Sequence, residues 1–196
     1  MGKYLQISND ELPAIMLSGQ QEYAVLYNKF SYGLQSKYYE EADFYLTNLK
    51  DGSKELMLKK QSVDLNQIGF DPFSNKILYY RENNWWVYDP LAKKHTNLTQ
   101  KVTTLSDNYN TADAPHQFGA YGNPGWTNDG KNVLLYDAND IWLVAIDGSS
   151  SKRLTRGYEK NIVYRITPIE YDWRSQSNYD GRNPTIFDLS KDLLLE

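Results

Sequence analysis

The chain has 196 residues, a formal net charge of −4 and no cysteine. Its length is sufficient for one domain with a sizeable core, whereas the mildly acidic balance argues against a nucleic-acid-binding or polybasic membrane surface. The absence of cysteine excludes disulfides, thiolate metal sites and cysteine nucleophiles. The sequence shows neither a signal-peptide pattern nor an apolar run of transmembrane length. A cysteine-free chain fits a periplasmic and a cytoplasmic location equally well, so both remain open.

The first predicted strands lie in the amino-terminal third of the chain. Residues 9–17 predict at most one short helical turn, because a proline interrupts any longer helix. Two aromatic and aliphatic runs, Tyr23–Tyr27 and residues 44–49, are typical of strands, and a long loop joins them. These segments outline a first repeat unit over residues 18–61.

A clearer repeat follows. Residues 69–99 align without a gap with residues 125–155, and both copies run from a glycine and an aromatic residue through two strands to Leu-Thr. The positions that match are Gly69 with Gly125, Phe70 with Trp126, Trp86 with Trp142, Leu98 with Leu154, and Thr99 with Thr155. Each copy therefore predicts a meander of short antiparallel strands joined by tight turns.

Repeats of this kind are typical of β-propeller blades. The sequence predicts an all-β fold, a partial β-propeller of four-stranded antiparallel blades, as a single unit over residues 1–196. The predicted blades are residues 18–61, 62–102, 116–160 and a partial fourth at 161–194, with a polar loop inserted between the second and the third. An ordinary β-sandwich with coincidental internal similarity is the alternative fold.

The repeated positions are interpreted as structural. Trp86 and Trp142 occupy equivalent strand positions and are expected to be largely buried in or between blades, whereas Trp85 and Trp173 lack repeat equivalents and are expected to be exposed. The other structural repeat residues are Trp126, Gly125, Leu98 and Leu154.

Residues 125–131, Gly-Trp-Thr-Asn-Asp-Gly-Lys, resemble the Trp-Ser-Pro-Asp-Gly-Lys signature of TolB-like and peptidase propeller blades. The Asp-Ile-Trp at 140–142, the Leu-Thr-Arg-Gly at 154–157 and the Val-Tyr-Arg at 163–165 extend the similarity to the propeller of bacterial prolyl oligopeptidase-family serine peptidases, including dipeptidyl peptidase-like members. The resemblance is good over residues 69–172 and thin elsewhere.

What the resemblance implies is a longer parent protein in which a propeller gates peptide access to an α/β-hydrolase domain that lies downstream and is absent here. The implied partners are that hydrolase domain and a peptide substrate. Dipeptidyl peptidases of this superfamily hold the amino group of the substrate with a pair of glutamates on a propeller insertion, and Glu40 and Glu41 are the candidates for that role. The residues around them do not reproduce the family motif, so a solvated acidic loop is the alternative.

Catalytic chemistry is not expected within this chain. It contains no Gly-x-Ser-x-Gly nucleophile elbow, and its two histidines, His95 and His116, are interpreted as turn and loop residues. Two separated histidines without cysteine do not predict a zinc site, and no cofactor is predicted. Asp137 and Asp140 are interpreted as residues that cap a hairpin.

Two further functions remain open at this stage. A TolB-like propeller that binds a protein partner is the first, and a carbohydrate-binding propeller with exposed tryptophans is the second. A chain of about four blades is also expected to leave open blade ends, which favours contacts with another copy of the chain.

Overall fold

A computed structural model describes residues 4–33, 40–64, 67–102, 120–167 and 185–196 of the chain. In these ranges the regular structure is β-strand apart from a short 3₁₀ helix at Tyr158–Lys160. The strands form three sheets that follow one another along the sequence, and all their pairings but one are antiparallel. The predicted fold class, a partial propeller built from four-stranded antiparallel blades, is confirmed.

The first sheet has the order β1-β2-β3-β4. Its strands are β1 (Ala14–Leu17), β2 (Tyr23–Tyr27), β3 (Glu41–Asn48) and β4 (Lys54–Ser62). Strand β1 corrects the expectation of a helical turn: the turn is confined to residues 9–12, and the chain after Pro13 is extended and pairs with β2. In this strand Met16 is buried in the core. Such a tertiary contact stabilises a strand, and the local sequence does not reveal it.

The second sheet has the order β5-β6-β7-β8. Its strands are β5 (Ile68–Phe70), β6 (Ile77–Arg81), β7 (Asn84–Asp89) and β8 (Lys94–Asn97). Glu82 and Asn83 form the two-residue loop between β6 and β7, and both have positive φ, at 52° and 60°. A two-residue hairpin of this type matches the natural twist of the strands.

The third sheet has the order β12-β11-β10-β9-β13. Its strands are β9 (Gly125–Thr127), β10 (Asn132–Tyr136), β11 (Ile141–Ala145), β12 (Ser151–Arg153) and β13 (Ile186–Phe187). The last strand pairs in parallel with β9. Residues 168–184, which make up half of the predicted fourth blade, lie outside the described residues, so that blade stays a prediction.

The core consists of two layers between successive sheets. The first layer joins the first and second sheets, and the second joins the second and third. Strand alternation divides the second sheet between them: Ile77 and Tyr79 face the first layer, and Leu78 and Tyr80 face the second. The second sheet is therefore covered on both faces by its neighbours, as blades inside a propeller are.

The sequence repeat has a counterpart in the backbone register. Tyr79 pairs with Trp86 in the second sheet, and Leu135 pairs with Trp142 in the third. The threonine of each Leu-Thr motif accepts a hydrogen bond from the first or second residue of the return strand, Trp85 N–H to Thr99 Oγ1 at 2.9 Å and Ile141 N–H to Thr155 Oγ1 at 3.0 Å. The Leu-Thr motif thus anchors the outer strand to the hairpin beside it.

The expected burial of the two adjacent tryptophans of β7 was wrong. Trp85, expected to be exposed, is completely buried in the second layer, whereas Trp86 and Trp142, expected to be largely buried, are half-buried. The reason is that both faces of the strand are covered, so that a side chain on either face is partly enclosed. Ile141 occupies the position equivalent to Trp85 and is also buried, so Trp85 does have a repeat equivalent.

The two repeat leucines differ for a related reason. Leu98 is 5% exposed because it packs in the layer between the second and third sheets. Leu154 is 37% exposed, since within the described residues no fourth sheet packs over it.

Candidate functional site

Glu40 and Glu41 lie at the start of β3, where the first hairpin loop enters the sheet. Glu41 is paired with Ser62, and the carbonyl of Glu40 accepts a hydrogen bond from Val63 N–H at 3.0 Å. Both residues are half-buried. Residues 34–39 of the same loop lie outside the described residues, so the role of the two glutamates in holding a substrate amine stays a prediction.

A third carboxylate close to this pair has a local role. Asp43 Oδ1 accepts hydrogen bonds from Tyr32 Oη at 2.6 Å and from Lys60 N–H at 2.9 Å, at a β-bulge where Lys60 has a φ of 51°. The hydrogen bond to Asp43 raises the pKa of Tyr32 to about 12. The contact ties the loop to the irregular part of β3 and β4.

The most highly connected polar cluster lies in the hairpin of the third sheet. Asp137 Oδ1 accepts the backbone N–H groups of Asn139, at 2.9 Å, and of Asp140, and its Oδ2 accepts the indole N–H of Trp142 at 2.7 Å. Asp137 therefore caps the turn, as expected, and also fixes the orientation of the repeat tryptophan. The equivalent Trp86 donates instead to the backbone carbonyl of Arg81, at 3.1 Å.

Asp140 is completely buried and binds the segment that follows β12. Its carboxylate accepts hydrogen bonds from Thr155 Oγ1 at 2.6 Å and from the N–H groups of Gly157 and Tyr158, and it lies 3.4 Å from an Arg153 nitrogen. Burial alone would raise the pKa of Asp140, but the hydrogen bonds from Thr155, Gly157 and Tyr158 and the charge of Arg153 outweigh it and lower the pKa. A buried carboxylate with this many donors holds its charge and orders the backbone around it.

The same segment continues across the hairpin to Arg165. The Arg165 guanidinium donates to the Asp137 carbonyl at 3.0 Å and stacks 4.6 Å from the centre of the Tyr136 ring. Tyr136 Oη in turn accepts the N–H of Ile166 at 2.9 Å. We call residues 154–166, together with the hairpin they cross, the Asp140 clamp. The sequence predicted that its two aspartates cap a turn, but it did not predict their contacts with residues distant in sequence. The repeated Thr155 was the one signal of those contacts.

A second network connects the first and second sheets. Glu55 binds Lys93 at 2.6 Å and accepts the hydroxyl of Tyr88 at 3.3 Å, and the hydrogen bond from Lys93 lowers the pKa of Glu55. His95 lies on β8 rather than in a turn: its Nδ1 is 2.8 Å from Tyr79 Oη, and its ring packs 4.5 Å from that of Tyr88. Partial burial, followed by the charge of Arg81, lowers the pKa of His95.

Strand β13 pairs with the edge of β9 that faces away from β10. Trp126 N–H donates to the Thr185 carbonyl at 2.9 Å, and Asn128 N–H donates to the Phe187 carbonyl at 2.8 Å. Gly125 has a φ of 154°, and a Cβ built on it would collide with the Thr185 carbonyl and lie 2.8 Å from the Phe187 ring. Glycine is therefore required at position 125 for β13 to approach β9.

The described residues were also compared with the requirements of a metal site and of a membrane-spanning helix. In the parts of the chain that the structure describes, no three His, Cys, Asp or Glu side chains group closely enough to hold a metal ion. None of the described residues belongs to a helix of the length and apolarity needed to cross a membrane. His116 and Trp173 lie outside the described residues.

Comparisons with known proteins place the fold. No known family profile matches the sequence, and no curated protein matches it. Among solved structures, a dipeptidyl peptidase 4 from Porphyromonas gingivalis is similar with a TM-score of 0.54 and 10% identity, over 79% of this chain and 27% of that one. A putative TolB from Agrobacterium tumefaciens is similar with a TM-score of 0.42 and 19% identity, over 74% of this chain and 46% of that one. The chain thus spans less than half the length of either structure.

The three sheets and the core layers between them define the class: the chain is a partial β-propeller. The similarity to the Porphyromonas gingivalis dipeptidyl peptidase 4 agrees with this fold.

Proposed function

We propose that this chain is the non-catalytic propeller portion of a prolyl oligopeptidase-like serine peptidase, and that it restricts the access of peptides to a hydrolase domain elsewhere in a longer protein. The observation that supports this proposal is the similarity to the Porphyromonas gingivalis dipeptidyl peptidase 4, which extends over 79% of this chain but only 27% of the peptidase. The resemblance of residues 125–165 to the propellers of this peptidase family supports it independently.

The contacts of the polar side chains fit a structural role in the propeller rather than a catalytic one. The polar side chains of the third sheet hold backbone in place: Asp137 caps its turn, Asp140 accepts the Gly157 N–H, and Arg165 donates to the Asp137 carbonyl. The charged network of Glu55 and Lys93 likewise joins two sheets. The contacts of the third sheet order that sheet, and the contact between Glu55 and Lys93 joins the first sheet to the second.

The test begins with the parent gene, in which the proposal requires a Gly-x-Ser-x-Gly nucleophile elbow downstream of this segment. The full-length enzyme and the hydrolase domain alone are then compared on a short chromogenic peptide and on an unfolded protein such as casein. We expect the full-length enzyme to cleave only the short peptide and the hydrolase alone to lose that discrimination, with the Ser-to-Ala enzyme as the control. The absence of a hydrolase in the parent gene, or equal cleavage of casein by both proteins, would show that the proposed function is wrong.

A further inference from the structure

The edge of β9 differs from the corresponding edge of the second sheet in its hydrogen-bond donors. In the repeat alignment Trp126 corresponds to Phe70, and Asn128 corresponds to Pro72. A proline has no N–H to donate, and prolines on edge strands prevent the addition of a further strand. Asn128 restores the donor at the position where the second sheet, and the blade signature that this segment resembles, have proline.

The shape of the β9 edge agrees with its donors. Gly125 leaves the space into which the Thr185 carbonyl fits, and two backbone N–H groups, those of Trp126 and Asn128, are directed at the incoming strand. Its counterpart Gly69 has nothing within 4 Å of a built Cβ, so no strand of the described part of the chain approaches the second sheet there. Of the two sheets that carry the repeat, the described residues thus show an added strand on the third sheet and none on the second.

The strand that occupies this edge is short and held by few contacts. It has two paired residues, and its first, Ile186, is 49% exposed. The hydrogen bonds of a two-residue pairing and a half-buried phenylalanine are weak attachments compared with the burial of the strands in the sheet itself. An occupant held in this way can exchange with another extended segment of similar pattern.

We infer that the edge of β9 is a strand-addition site for an extended peptide, and that residues 185–188, Thr-Ile-Phe-Asp, occupy it in cis as an exchangeable competitor. The peptide binds in parallel to β9, its carbonyl groups accept the N–H groups of Trp126 and Asn128, and an aromatic or aliphatic side chain takes the place of Phe187 beside Gly125. The inference rests on the proposed function for the nature of the ligand, an extended peptide that enters the propeller.

The test uses the full chain and a fluorescein-labelled peptide with the sequence of residues 185–190, followed by fluorescence anisotropy. We expect saturable binding, and Phe187→Ala in the protein tightens it about tenfold, because the cis strand then occupies the edge for a smaller fraction of the time. A scrambled peptide of the same composition is the control and does not bind. Hydrogen exchange adds a direct readout: Phe187→Ala accelerates exchange of the Trp126 amide, and the added peptide restores its protection.

The Asn128 N–H donor is tested in the Phe187→Ala variant, in which β13 occupies the edge of β9 less often. In the unmodified chain, loss of this donor would weaken both β13 and the added peptide, and the two effects on peptide binding would cancel. Asn128→Pro removes the N–H and is compatible with the local turn, in which Gly130 N–H donates to the Thr127 carbonyl and position 128 is one where proline is favoured. Asn128→Ala is the matched control that keeps the N–H. We expect Asn128→Pro to bind about fivefold or more weakly than Asn128→Ala.

Three results would overturn the inference. They are the absence of saturable binding to both the unmodified chain and Phe187→Ala, equal binding by Asn128→Pro and Asn128→Ala, and a dimer with exchanged strands that the peptide does not compete with. None of these depends on a hydrolase domain. A parent gene without a hydrolase would defeat the proposed function and leave peptide binding intact, whereas failed binding would leave the proposed function standing.

Discussion

The adjacent tryptophans of β7 allow a sharp test of the two-layer core. Trp85 is completely buried between the second and third sheets, where it packs edge-on against Tyr80 at 5.4 Å. Trp85→Ala is expected to destabilise the chain by about 3–5 kcal/mol, because a large cavity remains in a layer that two sheets enclose. Trp86 is half-buried on the opposite face and donates one hydrogen bond, so Trp86→Ala is expected to cost about 2 kcal/mol from partial burial and that bond.

The measurement is a urea titration of each variant followed by far-ultraviolet circular dichroism. Trp85→Phe serves as a milder variant in case Trp85→Ala does not fold, and it also removes an indole N–H that has no hydrogen-bond partner among the described residues. We expect Trp85→Phe to cost about 1 kcal/mol. If Trp86→Ala were as destabilising as Trp85→Ala, the assignment of the two side chains to a closed and a partly open layer would be wrong.

Two predictions concern activity and assembly. The purified chain is expected to cleave no proline- or alanine-containing peptide, because the sequence has no nucleophile elbow; cleavage that a serine-directed reagent abolishes would contradict this. The chain is also expected to self-associate through blade faces that expose Leu56 and Leu154 at 51% and 37%. Light scattering should then show a dimer or a larger species that Leu154→Glu weakens, and a strict monomer at all concentrations would refute the expectation.

The internal repeat accounts for most of what could be predicted from the sequence. The ungapped alignment of residues 69–99 with 125–155 predicted the hairpins and their equivalent strand positions, because turn residues and apolar runs recur at the same spacing. It could not tell which of Trp85 and Trp86 is enclosed. In a strand covered on both faces the two alternating faces are both apolar, so periodicity carries no signal for the depth of burial.

Long-range pairing explains what the sequence did not reveal. Strand β1 follows a proline and has no local pattern that distinguishes it from a turn, and it forms because β2 pairs with it. The contact of β13 with β9 joins segments that are distant in sequence, and Gly125 alone does not identify its partner. The contacts of Asp140 with Gly157 and Tyr158 were missed for the same reason, although Thr99 and Thr155 are repeated residues with repeated hydrogen bonds.

The Asp140 clamp makes a prediction about acid stability. The pKa of Asp140 lies below its ordinary value in the folded chain, so the unfolded chain binds this proton more readily than the folded one. The stabilisation is therefore fully present above the unfolded pKa of about 3.9, and it is lost as the pH falls through the lower folded value.

The acid limb can be assigned to Asp140 by comparing two variants with the unmodified chain. Asp140→Asn removes the charge, and Thr155→Val removes the hydroxyl that donates to Asp140 at 2.6 Å and accepts Ile141 N–H. Both are expected to lower stability at pH 7 by about 1–3 kcal/mol, and the difference from the unmodified chain should shrink as the pH falls from about 5 towards 2. Unfolding free energies from urea titrations at several pH values measure this, and the difference curve cancels the contributions of the other carboxylates. A difference that stays constant or grows on acidification would mean that Asp140 does not hold its segment as a charged group.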